Sequence, residues 1–117
     1  MIVAIDFGIT NTDVALSNNS QYKFFSMPSK NVNESFIDEI INLIDIDITE
    51  INQIAVTGGK SNELNETYKG VNLTKINETD AIGYGTKEIY KIENDPFITL
   101  SCGTGTACIH HQDGQFS

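Results

Sequence analysis

The sequence predicts an α/β fold: a mixed sheet built partly by hairpins and partly through helices, followed by the first hairpin of a second, similar unit. Three observations predict it. Residues 2–16 read as an apolar strand, a Gly/Thr turn and a second strand, and residues 97–109 repeat that layout with a turn one residue shorter. Residues 34–44 carry Phe36, Ile37, Ile40, Ile41 and Ile44 at helical spacing. The strand-like run 53–57 stops at Gly58-Gly59 and is followed by a further strand and helix.

Taken in order, residues 2–6 form a nearly continuous apolar run, as expected for a strand buried on both faces. Residues 12–17 alternate and 21–27 are rich in β-formers, so the first three strands should form a meander. Asn33 is placed to cap the helix over 34–44. The polar stretch 61–68 reads as a short helix or an irregular loop, and 71–76 as a short strand. Thr79 is the expected cap of a helix over 80–92, with Ala81, Ile82, Ile89 and Ile92 on one stripe and Gly83 and Gly85 thinning its contact face. Asn94-Asp95-Pro96 breaks the chain before the last hairpin, which pairs 97–102 with 106–111. Strands joined through helices should run parallel, by right-handed crossovers.

Composition narrows the partners. The 117 residues carry a formal charge of −9, with 7 basic residues and no basic cluster. Such a balance argues against nucleic acid or an anionic membrane as a partner. No apolar run is long enough to cross a bilayer, and the start has no charged segment leading into an apolar one. Asn-x-Ser/Thr triplets such as 65–67 and 77–79 are expected by chance in so Asn-rich a chain. Cys102 and Cys108 lack CxxC spacing and read as reduced, strand-packing thiols of a cytoplasmic protein. His110 and His111, adjacent on a strand, point to opposite faces and cannot share a metal, so both read as structural or surface residues.

The topology gathers the informative residues on one edge. In open sheets with parallel strands, ligands collect beyond the carboxyl ends of those strands. Asp6-Phe7-Gly8 ends the first strand, Thr57-Gly58-Gly59 the fourth and Asn77-Glu78 the fifth. Glycines let a backbone approach a ligand, while threonine hydroxyls and turn N–H groups donate to anionic oxygens. The phosphate-contacting candidates are therefore Asp6, Gly8, Thr10, Asn11, Thr12, Gly58 and Gly59, with Gly103, Thr104, Gly105 and Thr106 as the echo of the first turn. Blander readings stand beside these. Asp6 could satisfy turn amides, the glycine pairs could serve turns alone, and Glu78 could complement the positive end of a helix.

The series Asp6-Phe7-Gly8-Ile9-Thr10, Val56-Thr57-Gly58-Gly59, Glu78-Thr79-Asp80-Ala81, Gly103-Thr104-Gly105-Thr106 and Asp113-Gly114 resembles the superfamily of sugar kinases, actin and heat-shock chaperones. Within it the chain resembles most closely the type II pantothenate kinases, over essentially its whole length. The resemblance implies a ribonuclease-H-like, actin-like ATPase domain over 1–95 with strand order 3-2-1-4-5, and the truncated start of a second such domain over 96–117. It implies ATP and Mg²⁺ as cofactors, with Asp6 holding the metal through water. Residues 8–12 and 103–106 would contact the phosphates. Glu78 would be the catalytic base that takes the proton from the primary hydroxyl of pantothenate. A homodimer is expected.

Two departures from the family pattern matter. Family members commonly carry lysine where Asp13 stands, and a carboxylate there would repel phosphates. The chain also ends at Gln115-Phe116-Ser117, at the tip of the second hairpin. The expectation is therefore a kinase cut near its domain boundary, without the adenine pocket and the arginine for the substrate carboxylate. The alternatives are a kinase for another acceptor, such as an amino sugar; an ATPase switch like the activators of 2-hydroxyacyl-CoA dehydratases; or a catalytically silent fragment. Those activators hold an iron–sulfur cluster between subunits, for which Cys102 and Cys108 have neither the placement nor the spacing.

Overall fold

Alternating burial builds the larger sheet. In the computed structural model, which describes residues 1–94, 96–103 and 105–117, β1 (Ile2–Phe7), β2 (Asn11–Asn18) and β3 (Gln21–Pro28) form the expected antiparallel meander. Asn19 and Ser20, both at positive φ (49° and 67°), turn β2 into β3 as a two-residue hairpin. β1 differs from expectation in one respect. Val3, Ile5 and Phe7 are buried, but Ile2 is 43% exposed and Asp6 is open to solvent, so only one of its faces is sealed.

That sealed face meets α1 (Glu34–Ile44), which runs over the expected residues. Asn33 caps it, its side chain accepting from the Phe36 amide at 2.9 Å. Phe36, Ile37, Ile40, Ile41 and Ile44 form its buried stripe, and they join Val3, Ile5, Phe7, Val14, Leu16, Ile54, Val56 and Leu73 in one apolar cluster. Phe7 and Phe36 anchor the cluster at the top of β1, with ring centroids 5.9 Å apart.

β4 (Gln53–Thr57) pairs parallel with β1, Asp6 opposite Thr57, and β6 (Val71–Lys75) pairs parallel with β4. The expected order 3-2-1-4-5 holds, with β6 as its fifth strand, and one strand is added. The stretch left open between helix and loop becomes a single 3-10 turn, Ser61–Glu63, followed by a two-residue strand β5 (Thr67–Tyr68). β5 doubles back onto β6 through Lys69 and Gly70 (φ 47° and 83°), giving the sheet order β3-β2-β1-β4-β6-β5. Two residues are too few for a readable periodicity.

Packing divides the chain into Met1–Lys75 and Ile76–Ser117. The second unit holds α2 (Glu78–Tyr90) and a three-stranded antiparallel sheet of β7 (Phe97–Cys102), β8 (Thr106–Gln112) and β9 (Gln115–Phe116). The cap of α2 is corrected from Thr79 to Asn77, which moves the helix start to Glu78. Asn77 wins because it bonds Asp80 twice, accepting from the Asp80 amide at 2.8 Å and donating to its carboxylate at 2.9 Å. The helix also ends at Tyr90, not 92, with Lys91 in the left-handed conformation.

The apolar stripe foreseen on α2 is not its buried face: Ile89 is 69% exposed, while Gly83 is buried. A methyl at Gly83 would lie 2.4 Å from the Phe116 ring, so the glycine is the seat on which β9 rests. Tyr84 closes edge-on against the same ring at 4.7 Å. His111 is only 1% exposed and stacks between Phe97 (4.7 Å) and Phe116 (4.4 Å), whereas its neighbour His110 is exposed on the opposite face. Cys102 and Cys108 are exposed and unbridged, not packed inside as expected. Even-numbered residues of β7 face outward, and Cys108 lies opposite one of them, Leu100.

Candidate functional site

The turn between β1 and β2 is built to hold one shape. A Cβ at Gly8 would sit 2.3 Å from the Asn11 carbonyl oxygen, so closure of the turn alone demands glycine there. Ser29, just beyond β3, braces the loop from outside. Its hydroxyl donates to the Gly8 carbonyl at 2.7 Å and its amide to the Thr10 carbonyl at 2.9 Å. Thr12 is fully buried and its hydroxyl lies 2.9 Å from that of Ser29. Thr12 thus faces into the fold and supports the turn, while Ile9, Thr10 and Asn11 lie on its exposed side. Nothing in the sequence marks Ser29 for this role, because its partners lie 17 and 21 residues away.

The second turn closes on the first. Gly58 and Gly59 both have positive φ (77° and 45°). A Cβ at Gly58 would come within 2.7 Å of the Asp6 carboxylate oxygen Oδ1 and 2.8 Å of the Phe7 carbonyl; one at Gly59 would meet that carbonyl at 3.0 Å. These glycines make room for the end of β1, and they set the Asp6 carboxylate against the β4 turn. Asp6 also sits directly opposite Asp13 in the β1–β2 ladder, and both lie on the exposed face of the sheet. Residues so paired have side chains on one side with Cβ atoms about 5 Å apart. The two carboxylates therefore form a concentrated negative edge of oxygen donors. Among the described residues, no group of three or more His, Cys, Asp or Glu side chains comes together.

Beside these turns lies a cavity of about 360 Å³, walled by Phe7, Gly8, Ile9 and Val32 and carrying Lys30 and Lys60 among its polar lining. Lys30 is paired with Glu39 at 2.9 Å. Lys60 follows Gly58-Gly59 directly, and no motif in the sequence singles it out.

The remaining candidates belong to the second unit. Glu78 is the first residue of α2, exposed, in the turn where a helix presents its positive end. Gly103, Gly105 and Thr106 form the exposed tip between β7 and β8, closed by the Gly103 amide donating to the Gly105 carbonyl at 2.8 Å. Thr104 lies outside the described residues. A Cβ at Gly105 would meet nothing within 4 Å, so packing does not require glycine at that position.

A strongly perturbed side chain lies away from both turns. Burial of the Tyr68 ring, reinforced by its hydroxyl donating to Asp38, pushes its phenol up to about 12. The bonds from Tyr68 and Lys69 hold the Asp38 carboxyl below its usual range. This cluster ties β5 to α1.

The sheet order, the crossovers and the paired turns define the fold of the actin-like ATPases and their kinase relatives. Solved structures agree. The chain is similar to the activator of the 2-hydroxyisocaproyl-CoA dehydratase from Clostridium difficile with bound ADPNP (TM-score 0.70, 13% identity, 99% of this chain and 44% of that one). It is also similar to a ROK family protein from Streptococcus pneumoniae in complex with sucrose (TM-score 0.58, 15% identity, 99% and 47%).

By sequence the chain is similar to the type II pantothenate kinase of Bacillus anthracis, at 32% identity over 116 residues. That of Bacillus cereus strain AH820 follows at 31%. The expected resemblance to these kinases is borne out. Each alignment takes in 93% of this chain but only 39% of the relative's length. No family model matches the chain.

Proposed function

We propose that this chain serves ATP-dependent phosphoryl transfer to a small-molecule hydroxyl, with pantothenate as the acceptor and 4′-phosphopantothenate as the product. The observation that carries the reading is the seating of the Asp6 carboxylate between two glycine turns at the carboxyl ends of parallel strands β1 and β4. A carboxylate set among glycine turns suits a metal–polyphosphate, because such transfer depends on positioning and charge neutralisation. The sequence similarity to type II pantothenate kinases supports the choice of acceptor.

In this reading Asp6, with Asp13 beside it, supplies oxygen donors suited to Mg²⁺, which keeps several of its waters and so needs few protein ligands. Bound there, the metal would neutralise charge on the phosphates. Gly8, Thr10 and Asn11 present the exposed side of the first turn, and Thr12 holds its shape from within through Ser29. Gly58 leaves room for the Asp6 carboxylate and Gly59 for the Phe7 carbonyl, and any contact they make with ligand is additional. At the second turn the open position of Gly105 leaves room for close approach of a phosphate to Gly103, Gly105 and Thr106, and Thr104 is given the same role from the resemblance alone. Glu78 takes the proton from the attacking hydroxyl. We assign 1–95 to the domain with the first phosphate turn and 96–117 to the opening of the second, in a cytoplasmic, homodimeric protein. No helix among the described residues is long and apolar enough to cross a membrane.

The activator-like fold favours a second reading, an ATPase switch with no acceptor. Mg-ATP titration of the chain tests the shared part. Asp6→Asn should weaken the magnesium-dependent share of binding, while Glu78→Gln should leave it intact. Equal loss in both, or no binding by the unaltered chain, would overturn the assignment. An enzyme of the relatives' full length carrying this segment, given ATP with pantothenate, N-acetylglucosamine or no acceptor, then decides among the readings. There Glu78→Gln should lower turnover by about 10²–10⁴-fold, the usual worth of a positioned base.

A further inference from the structure

We propose that Lys60 is the cation that holds an anionic group of the ligand at the mouth of the first turn, a role that deepens the proposed phosphoryl transfer and rests on it. A polyanion approaching Asp6 meets a second carboxylate, Asp13, directly opposite on the same exposed face. These 117 residues contain no arginine, so the side-chain positive charge that they themselves bring to the ligand is that of lysines. Of these, Lys30 and Lys60 line the cavity of about 360 Å³ that opens beside Gly8 and Ile9.

The two are not equivalent. Lys30 is engaged with Glu39 at 2.9 Å, on the flank of α1. Lys60 takes part in none of the three ion pairs formed among the described residues. Its backbone is held by the turn that follows the glycines: the Ser61 amide donates to the Gly58 carbonyl at 3.1 Å and the Glu63 amide to the Lys60 carbonyl at 2.9 Å. Lysine on a flexible stem at a rigid anchor acts as a point charge for phosphate or carboxylate. Glu63 lies on the same wall and tempers the local charge, so the site suits an anion that also brings a metal or several oxygens. The walls Phe7, Ile9 and Val32 add an apolar side, which fits a small organic anion as well as a polyphosphate.

The shared chemistry is an anionic oxygen cluster, from the nucleotide phosphates or from the acceptor carboxylate, and the test separates them. Calorimetry would measure binding of magnesium tripolyphosphate and, separately, of pantothenate to the 117-residue chain and its Lys60→Gln, Lys60→Arg and Lys23→Gln variants. Lys23 is an exposed lysine of β3 outside the cavity and controls for net charge. Lys60→Gln should weaken one of the two ligands about tenfold with an unchanged melting temperature, and Lys60→Arg should recover most of the loss. Loss confined to tripolyphosphate assigns Lys60 to the phosphates, and loss confined to pantothenate assigns it to the acceptor. Equal binding by Lys60→Gln and the unaltered chain overturns the role of Lys60 alone. So does an equal loss in Lys23→Gln. If the unaltered chain binds neither ligand, Lys60 holds no anion in this segment and the role given to it falls, while turnover by an enzyme of the relatives' full length still decides the phosphoryl-transfer reading.

Discussion

Asp6 shows how much one side chain depends on residues that have none. Its carboxylate can lie against the β4 turn because Gly58, at φ 77°, has no Cβ; one there would sit 2.7 Å from Oδ1, too close to coexist. The sequence made Gly58 and Gly59 candidates for ligand contact. The structure adds a prior reason for them, which is to let the β4 turn close on β1. Thr12 changes in the same sense, since alternation along β2 places it on the buried side of the strand with its hydroxyl on Ser29. Ser29 itself could not be found from sequence, because a brace made across 21 residues leaves no local pattern. Asp13 was legible as a departure, but only the register shows that it faces Asp6. A prediction belongs here. Replacing Asp13 by Asn removes one of two adjacent negative charges, so metal-free ATP should bind several-fold more tightly, with the gain shrinking as salt rises toward 1 M. Fluorescent-nucleotide titration with and without EDTA would measure it, and unchanged metal-free affinity would show that Asp13 does not face the phosphates.

At the level of elements, the legible parts were those with long periodicity or strong caps. The eleven residues of α1 could be read to the residue, since five apolar positions and Asn33 agree on one helix. The start of α2 differs from expectation because Asn77 and Thr79 are both good capping residues, and only the two hydrogen bonds between Asn77 and Asp80 decide between them. β5 was invisible at two residues, yet its Tyr68 carries a tie to α1 through Asp38, with Lys69 joining at 2.9 Å. The signs of the two titrations follow from their directions. Asp38 is held below its ordinary value, so its contribution is present above about pH 4 and fades as the solution is acidified. The Tyr68 phenol is raised to about 12, so the folded state holds its proton longer than the unfolded one; its contribution is complete below about pH 10 and is lost as pH rises toward 12. Tyr68→Phe should cost about 1 kcal/mol at pH 7, the net worth of a typical hydrogen bond. It should also flatten the loss of stability between pH 10 and 12, as read by urea denaturation at each pH. An unaltered alkaline limb would mean that Tyr68 is not the group responsible.

Across the whole molecule, the charge of −9 and the open surface of the second unit pull in opposite directions. β7 stands at one end of its three-stranded sheet, and its outward residues Ile98 and Leu100 are 66% and 67% exposed. An edge strand with an apolar face is a template for pairing with another strand, and β7 carries no lysine or proline within its span to blunt it. Two copies can satisfy the edge reciprocally about a two-fold axis, β7 against β7, which is the simplest closed arrangement. Like charge on the two copies opposes this, so association should strengthen as salt shortens the Debye length from about 30 Å at 0.01 M to about 8 Å at 0.15 M. Sedimentation velocity at those two salt concentrations should show the dimer fraction rising. Leu100→Lys, placed on the exposed face of the edge strand, should abolish the rise without lowering the melting temperature, since the side chain it replaces is not part of a core. A chain that stays monomeric at both salts would overturn both the β7 pairing and the expected dimer.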